Sequence, residues 1–296
     1  MSTPADVVVV GSANLDLVIE VSRLPRTGET ILGDAVGRFA GGKGLNQALA
    51  SARTGGRTRF CACVGDDPAG DFLQDLLIAG GVAGAMLRTD TAPTGTAHVF
   101  TLHDSDNSIV VASGANGTLS AEDVTSAVSG ARVVLAQLEV PLPSVAAGLS
   151  AARAAGALTL LNAAPAHPDA LALLTDVDVL IVNETESDEL GGIERLQAAG
   201  AAAVVRTLGG DGVEVHRAGR PPVFVEAFRV DVVDTTGAGD AFCGALAAAL
   251  ASGAVLEEAV VRGAAAGAIV AGSLGANTGA LTPDAVDALM SAGQPW

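Results

Sequence analysis

The sequence predicts an α/β fold with a mainly parallel central sheet, helices on both faces of that sheet, and a small β-sheet lid. Short continuous apolar runs alternate along the chain with segments of helical pattern, which is typical of parallel strands joined by crossover helices. Polar residues follow several of these runs, at the sheet edge where ligands bind in such folds. Two further segments, at about 15–40 and 94–112, alternate apolar and polar residues and so predict strands with one solvated face.

Buried strands are predicted where a short run is apolar throughout, because both faces of a parallel sheet are covered. In chain order these runs are VVVVGS, RFCACVG, ARVVLAQLE, ALTLLNAAP, VDVLIVNETE and AAAVVRTLGG. Their carboxyl ends carry Gln137, Glu139, Asn162, Asn183 and Thr207. Since such ends meet at one edge of an open sheet, we expect a polar ligand to bind there.

Helices are predicted between the runs, where apolar residues recur at helical spacing. Examples are PAGDFLQDLLIAG, LPSVAAGLSAARAAG and ETESDELGGIERLQAAG. Two more helices follow glycine-rich turns, in GGKGLNQALASARTG and in TGAGDAFCGALAAALAS. TPDAVDALMSAG predicts a closing helix, with Thr282 or Asp284 near its cap.

The lid strands are predicted from LDLVIEVSRL, TILGDAVGRF, GTAHVFTLH and SIVVAS. HDSDNS, between the last two, has the Asp, Ser and Asn content of a hairpin turn. Because these strands interrupt the α/β part early in the chain, we interpret them as a separate small sheet over the ligand edge. If the outer face of this lid is apolar, it also serves as a homodimer contact.

Composition limits the classes of function. The chain has 296 residues, enough for one large α/β domain spanning 1–296, and we see no linker and no internal repeat. Its net charge of −17, from 16 Lys and Arg against 33 Asp and Glu, argues against a nucleic-acid partner. The first apolar run follows no basic segment and is too short to span a bilayer, so we expect no membrane partner and a cytoplasmic location. Three cysteines form neither a disulfide framework nor a CxxC metal site.

DTTGAGDAF, residues 234–242, poses a chemical question. Gly237, Ala238 and Gly239 precede a predicted helix, and unpaired backbone N–H groups at a helix N-terminus attract phosphate. Yet the turn ends in Asp240, whose carboxylate would repel a phosphate. A plain helix-capping aspartate is the alternative interpretation.

GRFAGGK, residues 37–43, fits most of a P-loop, but Gly44 stands where a P-loop needs Ser or Thr to hold Mg²⁺. The following GGKGLNQ is more informative. Gly42 permits close backbone approach, Lys43 offers a positive charge, and Asn46 offers both a donor and an acceptor. This set suits a polyhydroxylated ligand such as a sugar, whereas a plain glycine-rich turn with a solvated lysine is the simpler interpretation.

Short polar side chains elsewhere could bind the same hydroxyls. Asn14 and Asp16 follow the first strand and point the same way in extended chain, which can grip adjacent hydroxyl groups or merely form a surface turn. Glu139 is either a solvated carboxylate at the end of a strand or another hydroxyl ligand.

The chain resembles the ribokinase family of sugar kinases, also called the PfkB family, over nearly its whole length. DTTGAGDAF identifies the family, and GGKGLNQA with GSANLD favours its ribokinases. The other matching segments are GDDPAGDFL, PTGTAHVF, QLEVP, NAAPA, VNETESDEL, TLGGDG and AGSLGANTG. The resemblance implies ATP-dependent phosphorylation of D-ribose at its 5-hydroxyl, giving D-ribose 5-phosphate.

The resemblance also answers the question that Asp240 poses. It implies that Asp240 is the general base, which removes the proton from the 5-hydroxyl. The amides of Gly237, Ala238 and Gly239, with that of Asp240, would form an anion hole for the transferred phosphoryl group. The sugar ligands that it implies are Asn14, Asp16, Gly42, Lys43, Asn46, Glu139 and Asp240.

Nucleotide and metal sites are implied in the same way. Asn183 and Glu186 match the family's NxxE element, which organises Mg²⁺ and phosphates through water, and Thr207, Gly209, Gly212 and Gly239 would lie along the nucleotide. A monovalent cation such as K⁺ activates ribokinases. Its oxygen ligands would come from Asp234, Thr236, Val270, Ser273, Gly275 and Gly279, mostly through backbone carbonyls.

Two positions depart from the family pattern. Gly263 stands where the family often has His or Asn near the nucleotide, so a side-chain contact to adenosine is lost. Gly279 stands where ribokinases often have Ser, which removes one hydroxyl ligand for the cation.

Other substrates remain open at this point: 2-deoxyribose, fructose, a keto-deoxy sugar acid or adenosine. A non-catalytic sugar sensor is the alternative from another class of function.

Overall fold

The structure is a computed structural model that describes residues 6–84, 86–102 and 107–293. Most of the predicted HDSDNS turn, residues 103–106, lies outside the described residues. The strands are β1 Val7–Val10, β2 Asn14–Val21, β3 Asp34–Gly41, β4 Thr58–Cys61, β5 Cys63–Gly65, β6 Leu87–Thr89, β7 Gly95–Leu102, β8 Asn107–Ala112, β9 Val133–Ala136, β10 Leu158–Asn162, β11 Val179–Asn183, β12 Ala203–Thr207, β13 Gly212–Arg217 and β14 Val223–Glu226. The α-helices are α1 Lys43–Arg53, α2 Pro68–Ala79, α3 Ala121–Ala127, α4 Leu142–Ala154, α5 Glu184–Glu189, α6 Ile193–Ala198, α7 Ala238–Ser252, α8 Leu256–Ala271 and α9 Pro283–Ala292.

The central sheet has eight strands in the order β14-β13-β12-β11-β10-β9-β1-β4. Its strands from β4 to β12 pair in parallel, and only β13 and β14 join it antiparallel at one edge. Successive side chains of a strand point to opposite faces, and β1 shows the consequence. Val7 and Val9 belong to the core cluster under α1 and α7, whereas Val8 and Val10 belong to the cluster under α4. The predicted fold class, a mainly parallel sheet covered on both faces, is therefore confirmed.

Two of the predicted elements are each divided into two in the structure. RFCACVG forms two strands, because β5 leaves the central sheet after Ala62 and pairs instead with β6. ETESDELGGIERLQAAG, predicted as one helical segment, forms α5 and α6. Gly191 and Gly192 have φ angles of 95° and 86° between them, a left-handed conformation that ends a right-handed helix.

A second sheet of four strands, in the order β3-β2-β7-β8, comes from the segments at 15–40 and 94–112. It exposes large apolar side chains, among them Phe39, Ile109 and Val110, which are 49%, 58% and 60% exposed. The chain passes from the central sheet into this second sheet through only three residues, 11–13, between β1 and β2. Side chains of the two sheets therefore meet near that junction.

Glycine brings helices α1 and α7 close together on one face of the central sheet. A Cβ at Gly244 of α7 would lie 2.4 Å from the carbonyl oxygen of Gln47 and 2.7 Å from the amide nitrogen of Ser51, both on α1. Only a residue without a side chain fits this contact. Within the part of the chain that the structure describes, no helix is long and apolar enough to cross a membrane.

Candidate active site

The predicted site residues gather at the carboxyl edge of the central sheet, where α1, α5 and α7 begin. A cavity of about 140 Å³ opens there. Its lining includes seven predicted site residues: Lys43, Asn183, Glu186, Thr207, Gly237, Gly239 and Asp240. Asn162 and Cys243 also line it. The sheet edge at which a polar ligand was expected thus carries a cavity.

Asp240 lies in the first turn of α7, and two amide side chains of α1 bind its carboxylate. Asn46 donates from Nδ2 to Oδ2 of Asp240 at 2.9 Å, and Gln47 donates from Nε2 to Oδ1 at 2.9 Å. Burial raises the pKa of Asp240, while the charge of Lys43 and the two amide hydrogen bonds limit the rise. The carboxylate is thereby fixed in orientation, and each oxygen keeps lone-pair capacity for a further donor.

Lys43 is the first residue of α1 and lies among carboxylates. Burial lowers the pKa of Lys43, but the nearby charges of Asp240, Glu139 and Glu186 raise it by more, so the net direction is upward. The ammonium group is therefore held in its charged form. Gly42, with φ of 90°, starts this helix, and a Cβ there would lie 2.9 Å from the carbonyl oxygen of Ser12. The glycine allows the loop after β1 to pack against the start of α1.

Asn14 begins β2 and is 2% exposed. Its Oδ1 accepts a hydrogen bond from Nδ2 of Asn116 at 2.7 Å. Asn116 is itself 1% exposed and also accepts at 2.9 Å from the amide of Ala13 through Oδ1. Because Asn116 engages both the backbone and the side chain of this segment, it fixes the position from which Asn14 can present its amide group.

Glu139 follows β9 and is bound from two elements. Its Oε2 accepts from the hydroxyl of Ser12 at 2.5 Å and from the backbone amide of Lys43 at 3.1 Å. The second contact places the carboxylate at the N-terminus of α1, where the helix dipole favours negative charge. Glu139 is therefore held close to both the β1–β2 junction and Lys43.

Asp16 is a buried carboxyl group of the site with a strongly raised pKa. Burial, followed by the charges of Glu139 and Asp240, raises its pKa to about 7. Its Oδ1 is buried without a hydrogen-bond partner among the described residues. A Cβ at Gly41 would lie only 2.1 Å from Oδ2 of Asp16, so the absent side chain of Gly41 makes room for the carboxyl group. An unpaired buried acceptor of this kind fits a ligand hydroxyl.

The turn before α7 is only partly arranged as an anion-binding loop, because one of its amides is already hydrogen-bonded within the turn. Gly237 is in the left-handed region, with φ of 78°, and caps the 15-residue helix. A Cβ at Gly237 would lie 2.3 Å from the Cβ of Ala276, so the loop after α8 packs directly on this turn. The amide of Ala238 donates to the carbonyl of Thr235 at 3.1 Å and is engaged in this conformation. Gly237 and Gly239 line the cavity.

Asn183 and Glu186 cap the first turn of α5. Asn183 Oδ1 accepts from the amide of Glu186 at 2.7 Å, and Glu186 Oε2 accepts from the amide of Asn183 at 2.9 Å, which is a capping box. Burial raises the pKa of Glu186. Thr207 ends β12 and reaches the cavity, whereas Gly209 is exposed and Gly212 is buried at the start of β13, both outside the cavity lining.

Five of the six residues predicted to bind a monovalent cation lie in two loops that the structure brings together, and Val270 lies in the last turn of α8. Asp234 Oδ1 accepts from the amide of Thr236 at 2.9 Å, and its Oδ2 accepts from the amide of Gly275 at 3.0 Å. Burial raises the pKa of Asp234, but these hydrogen bonds lower it by more, so the net direction is downward. The carbonyl of Val270 is engaged with the amide of Ser273 at 2.9 Å. Gly279 lies in the same loop, and a Cβ there would meet nothing within 4 Å.

Gly263 has a packing explanation. It lies on α8 against α7, and a Cβ at this position would lie 2.9 Å from Cδ2 of Phe242 and 3.0 Å from the carbonyl oxygen of the same residue. A side chain here would force the two helices apart. The position therefore faces the packed interface of α7 and α8.

Four residues that support the site were not predicted from the sequence: Ser12, Gln47, Asn116 and Asn277. Gln47 donates directly to the carboxylate of Asp240, and Asn277 donates to Asn46, which itself donates to that carboxylate. Gln47 directly follows Asn46 in GGKGLNQ, which was the only signal available for it. Nothing local in the sequence distinguishes Asn116 or Asn277 from turn residues, because their partners are more than 100 positions away.

Comparison with known proteins identifies relatives over most of the chain. Residues 4–283 match the pfkB family carbohydrate kinase profile. The ribokinase of Bacillus subtilis (strain 168) is 35% identical over 293 residues, covering 97% of this chain and 99% of its own. A deoxyribokinase of Salmonella typhi is 33% identical over 258 residues, covering 82% and 84%. The structure of Arabidopsis thaliana ribokinase complexed with ribose and ATP superposes with a TM-score of 0.88 at 32% identity, covering 97% of this chain and 99% of that one.

Proposed function

The chain belongs to the pfkB family of carbohydrate kinases, and we propose that it transfers the γ-phosphoryl group of ATP to the 5-hydroxyl of D-ribose. One observation carries the assignment of roles. A carboxylate fixed on both oxygens, Asp240, lines the same cavity as Lys43 and the glycine turn that opens α7. A base for a hydroxyl and donors for a phosphoryl group are thus within one cavity.

The sugar would bind through the group of side chains that surrounds the junction of the two sheets. Asp16 supports this most strongly, because its buried unpaired Oδ1 needs a donor, and a sugar hydroxyl supplies one. Asn14, Lys43 and Asn46 add amide and ammonium donors, and Glu139 and Asp240 add acceptors. Gly42 has no side chain and leaves its backbone accessible to the ligand.

Proton transfer would pass from the 5-hydroxyl to the carboxylate of Asp240. As the hydroxyl oxygen forms its bond to the γ-phosphorus, the bond from that phosphorus to the bridging oxygen breaks, and ADP leaves with the electron pair. Asp240 releases the proton to solvent after the product departs. A pKa raised by burial makes this carboxylate a stronger base than an exposed one, which favours proton transfer.

The negative charge of the transferred group would be met by the N-terminus of α7. The amides of Gly237, Ala238, Gly239 and Asp240 belong to the end of the helix that carries partial positive charge, and Lys43 lines the same cavity. Ala238 would have to release the carbonyl of Thr235 to contribute its amide. Asn183, Glu186, Thr207, Gly209 and Gly212 would border the nucleotide phosphates on the other side.

Mg²⁺ fits the acidic end of the cavity. Glu186 keeps Oε1 outside the capping box and lies at the cavity wall beside Asn183. The described residues contain no cluster of three or more His, Cys, Asp or Glu side chains that could hold a metal ion. A Mg²⁺ ion would therefore be held by phosphate oxygens and waters that these two residues orient, and it would neutralise phosphate charge.

K⁺ fits the two loops that Asp234 joins. The carboxylate already binds the amides of Thr236 and Gly275, which keeps the backbone carbonyls of both loops near it. Together with Val270, Ser273 and Gly279, these residues would supply several oxygen atoms to a cation. Position 279 would contribute no hydroxyl group, because it is a glycine. A bound cation would supply positive charge behind the turn that opens α7.

The lid would also form a homodimer contact. The apolar residues that it exposes, Phe39, Ile109 and Val110, lie on two strands of one sheet, β3 and β8, and a second copy of the chain would cover them. Light scattering after size exclusion should give twice the chain mass of 29.1 kDa. A mass of one chain would contradict this part of the proposal.

The experiment that tests the function measures ADP release with ATP, Mg²⁺ and K⁺ across five candidate acceptors: ribose, 2-deoxyribose, fructose, a keto-deoxy sugar acid and adenosine. Phosphorus NMR of the product then identifies the phosphorylated hydroxyl. We expect ribose to give the highest kcat/KM, with the phosphate on O5. Omission of K⁺ in a parallel series should lower the rate.

Turnover of another acceptor in preference to ribose would support the kinase activity but contradict the assignment of ribose as the substrate. Binding of ribose without turnover of any acceptor would assign the chain to the sugar sensors instead.

A further inference from the structure

Two chains of side-chain amides converge on Asp240, one at each carboxylate oxygen. The first passes from the carbonyl of Ile181 through Asn162 and Gln47 to Oδ1. The second passes from the carbonyl of Ala40 through Asn277 and Asn46 to Oδ2. Each chain begins at a backbone carbonyl, which can only accept a hydrogen bond.

This starting point fixes the direction of every hydrogen bond in the first chain. Asn162 must turn its Nδ2 toward the carbonyl of Ile181, at 3.3 Å, and so presents Oδ1 to Gln47. Gln47 must then present Nε2, which donates to Asn162 at 3.0 Å and to Asp240 at 2.9 Å. Its Oε1 accepts from Gln137 at 2.5 Å. The amide of Gln47 cannot flip without losing all three contacts.

The second chain works in the same way at the other oxygen. Asn277 donates to the carbonyl of Ala40 at 3.0 Å and to Oδ1 of Asn46 at 3.1 Å, which leaves Nδ2 of Asn46 for Asp240. Both donors to the carboxylate are therefore set by main-chain positions far from the base. Asn46 doubles as a predicted sugar ligand, whereas Gln47 is fully buried and faces only the protein.

Building on the proposed role of Asp240 as base, we propose that Gln47 is a positioning residue. It aims the carboxylate at the sugar hydroxyl and keeps it ionised by donating one permanent hydrogen bond to Oδ1. Gln47 does not touch the substrate; it acts only through Asp240. A charge-assisted hydrogen bond stabilises the ionised form over the protonated form, so its loss raises the pKa of the base.

Other charged and titratable groups face Asp240 and stay in place when Gln47 is changed. Their positions span α1, β2, the loop after β9, α5 and α7. These groups are Lys43, Asp16, Glu139, Glu186 and Cys243. Their contributions are common to the wild-type protein and the variants, so a difference between the pH profiles reports the amide contact.

The test compares Gln47→Met with Gln137→Met in full-length protein. Methionine keeps the length of the side chain and removes the amide in both variants. The readout is the pH profile of kcat/KM for ribose, or for whichever acceptor is turned over. We expect the acidic limb of Gln47→Met to move up by about one pH unit, so that kcat/KM falls about tenfold at low pH and approaches the wild-type value at high pH.

Gln137→Met should leave the acidic limb within about 0.3 pH unit of wild type, because Asn162 still fixes Gln47 toward Asp240. A loss that is the same at every pH in Gln47→Met, or an equal shift in both variants, would overturn the inference. Circular dichroism and thermal unfolding verify the fold. If Gln47→Met does not fold, Gln47→Asn replaces it, since the shorter amide withdraws its N–H from Asp240.

Asp240→Asn, measured alongside, separates this inference from the proposed function. Wild-type turnover by Asp240→Asn would mean that Asp240 is not the base, which would contradict the proposed function itself. If Asp240→Asn is inactive and the acidic limb of Gln47→Met is not shifted, only the positioning role of Gln47 is contradicted.

Discussion

The proposed sugar end and the proposed phosphate end of the site are built differently. At the sugar end, side chains such as Asn14, Glu139 and Asp240 are held by hydrogen bonds from other elements. At the phosphate end, the groups offered are mostly backbone amides and carbonyls of loops, with glycines at 237, 239 and 275. The difference indicates that residue identity decides function at the sugar end, whereas backbone conformation decides it at the phosphate end.

The largest effect is expected at the sugar end, from Asp240→Asn. The amide cannot accept the proton of the hydroxyl, so kcat should fall by about 10²–10⁴ while ribose still binds. Steady-state kinetics and calorimetric titration with ribose measure the two quantities. Asp75→Asn, an exposed site on α2, is the matched control and should keep wild-type kcat. A variant within about threefold of wild-type kcat would mean that another group acts as base.

The next effect concerns the phosphate end, where two glycines make a matched pair. Gly237→Ala places a Cβ 2.3 Å from that of Ala276 at a φ of 78°, so it should lower the free energy of unfolding by about 1–3 kcal/mol. We also expect kcat to fall by about tenfold or more, because the turn must move. In Gly239→Ala the added Cβ has no neighbour within 4 Å, so this variant should keep the wild-type free energy of unfolding.

Equal unfolding free energies for the two alanine variants, in urea titrations, would contradict the strain assigned to position 237. They would also weaken the view that backbone conformation decides function at this end.

A smaller effect should follow from Asn116→Ala, which removes the support behind Asn14. Losing a buried hydrogen bond costs about 1–3 kcal/mol, so the KM for ribose should rise by about tenfold or more, with a smaller change in kcat. Thr118→Val lies in the same 3₁₀ segment, Gly114–Thr118, and serves as the control. A rise in the KM for ATP instead would assign Asn116 to the phosphate end.

The smallest effect is a pH-dependent change in stability from Asp16→Asn. The pKa of Asp16 is raised to about 7 in the folded protein, so its ionisation destabilises the fold as the pH rises from about 4 through 7. The variant lacks this penalty, so its gain in Tm over wild type should be larger at pH 8 than at pH 5. Asp34→Asn, at an exposed position on β3, is the matched control variant. A gain independent of pH would contradict the raised pKa.

Much of the fold follows from local pattern, and much of the site follows from motif. The buried strands are continuous apolar runs, and the strands of the second sheet are predicted from segments that mix apolar and polar residues, so both types can be recognised in the sequence. The split of ETESDELGGIERLQAAG depends on positive φ at two glycines, which composition permits but does not require. Gln47, Asn116 and Asn277 could not be identified, because their roles depend on partners brought near only by the folded chain.

The most direct test of the account is an experimental structure with ribose and a non-hydrolysable ATP analogue. We predict that O5 of ribose lies about 2.6–3.2 Å from a carboxylate oxygen of Asp240, with the γ-phosphate at the amides of Gly237 and Gly239. Gln47 should still donate to Oδ1 of the same carboxylate. A ribose whose O5 points away from Asp240, or a γ-phosphate bound outside the turn that opens α7, would contradict the account.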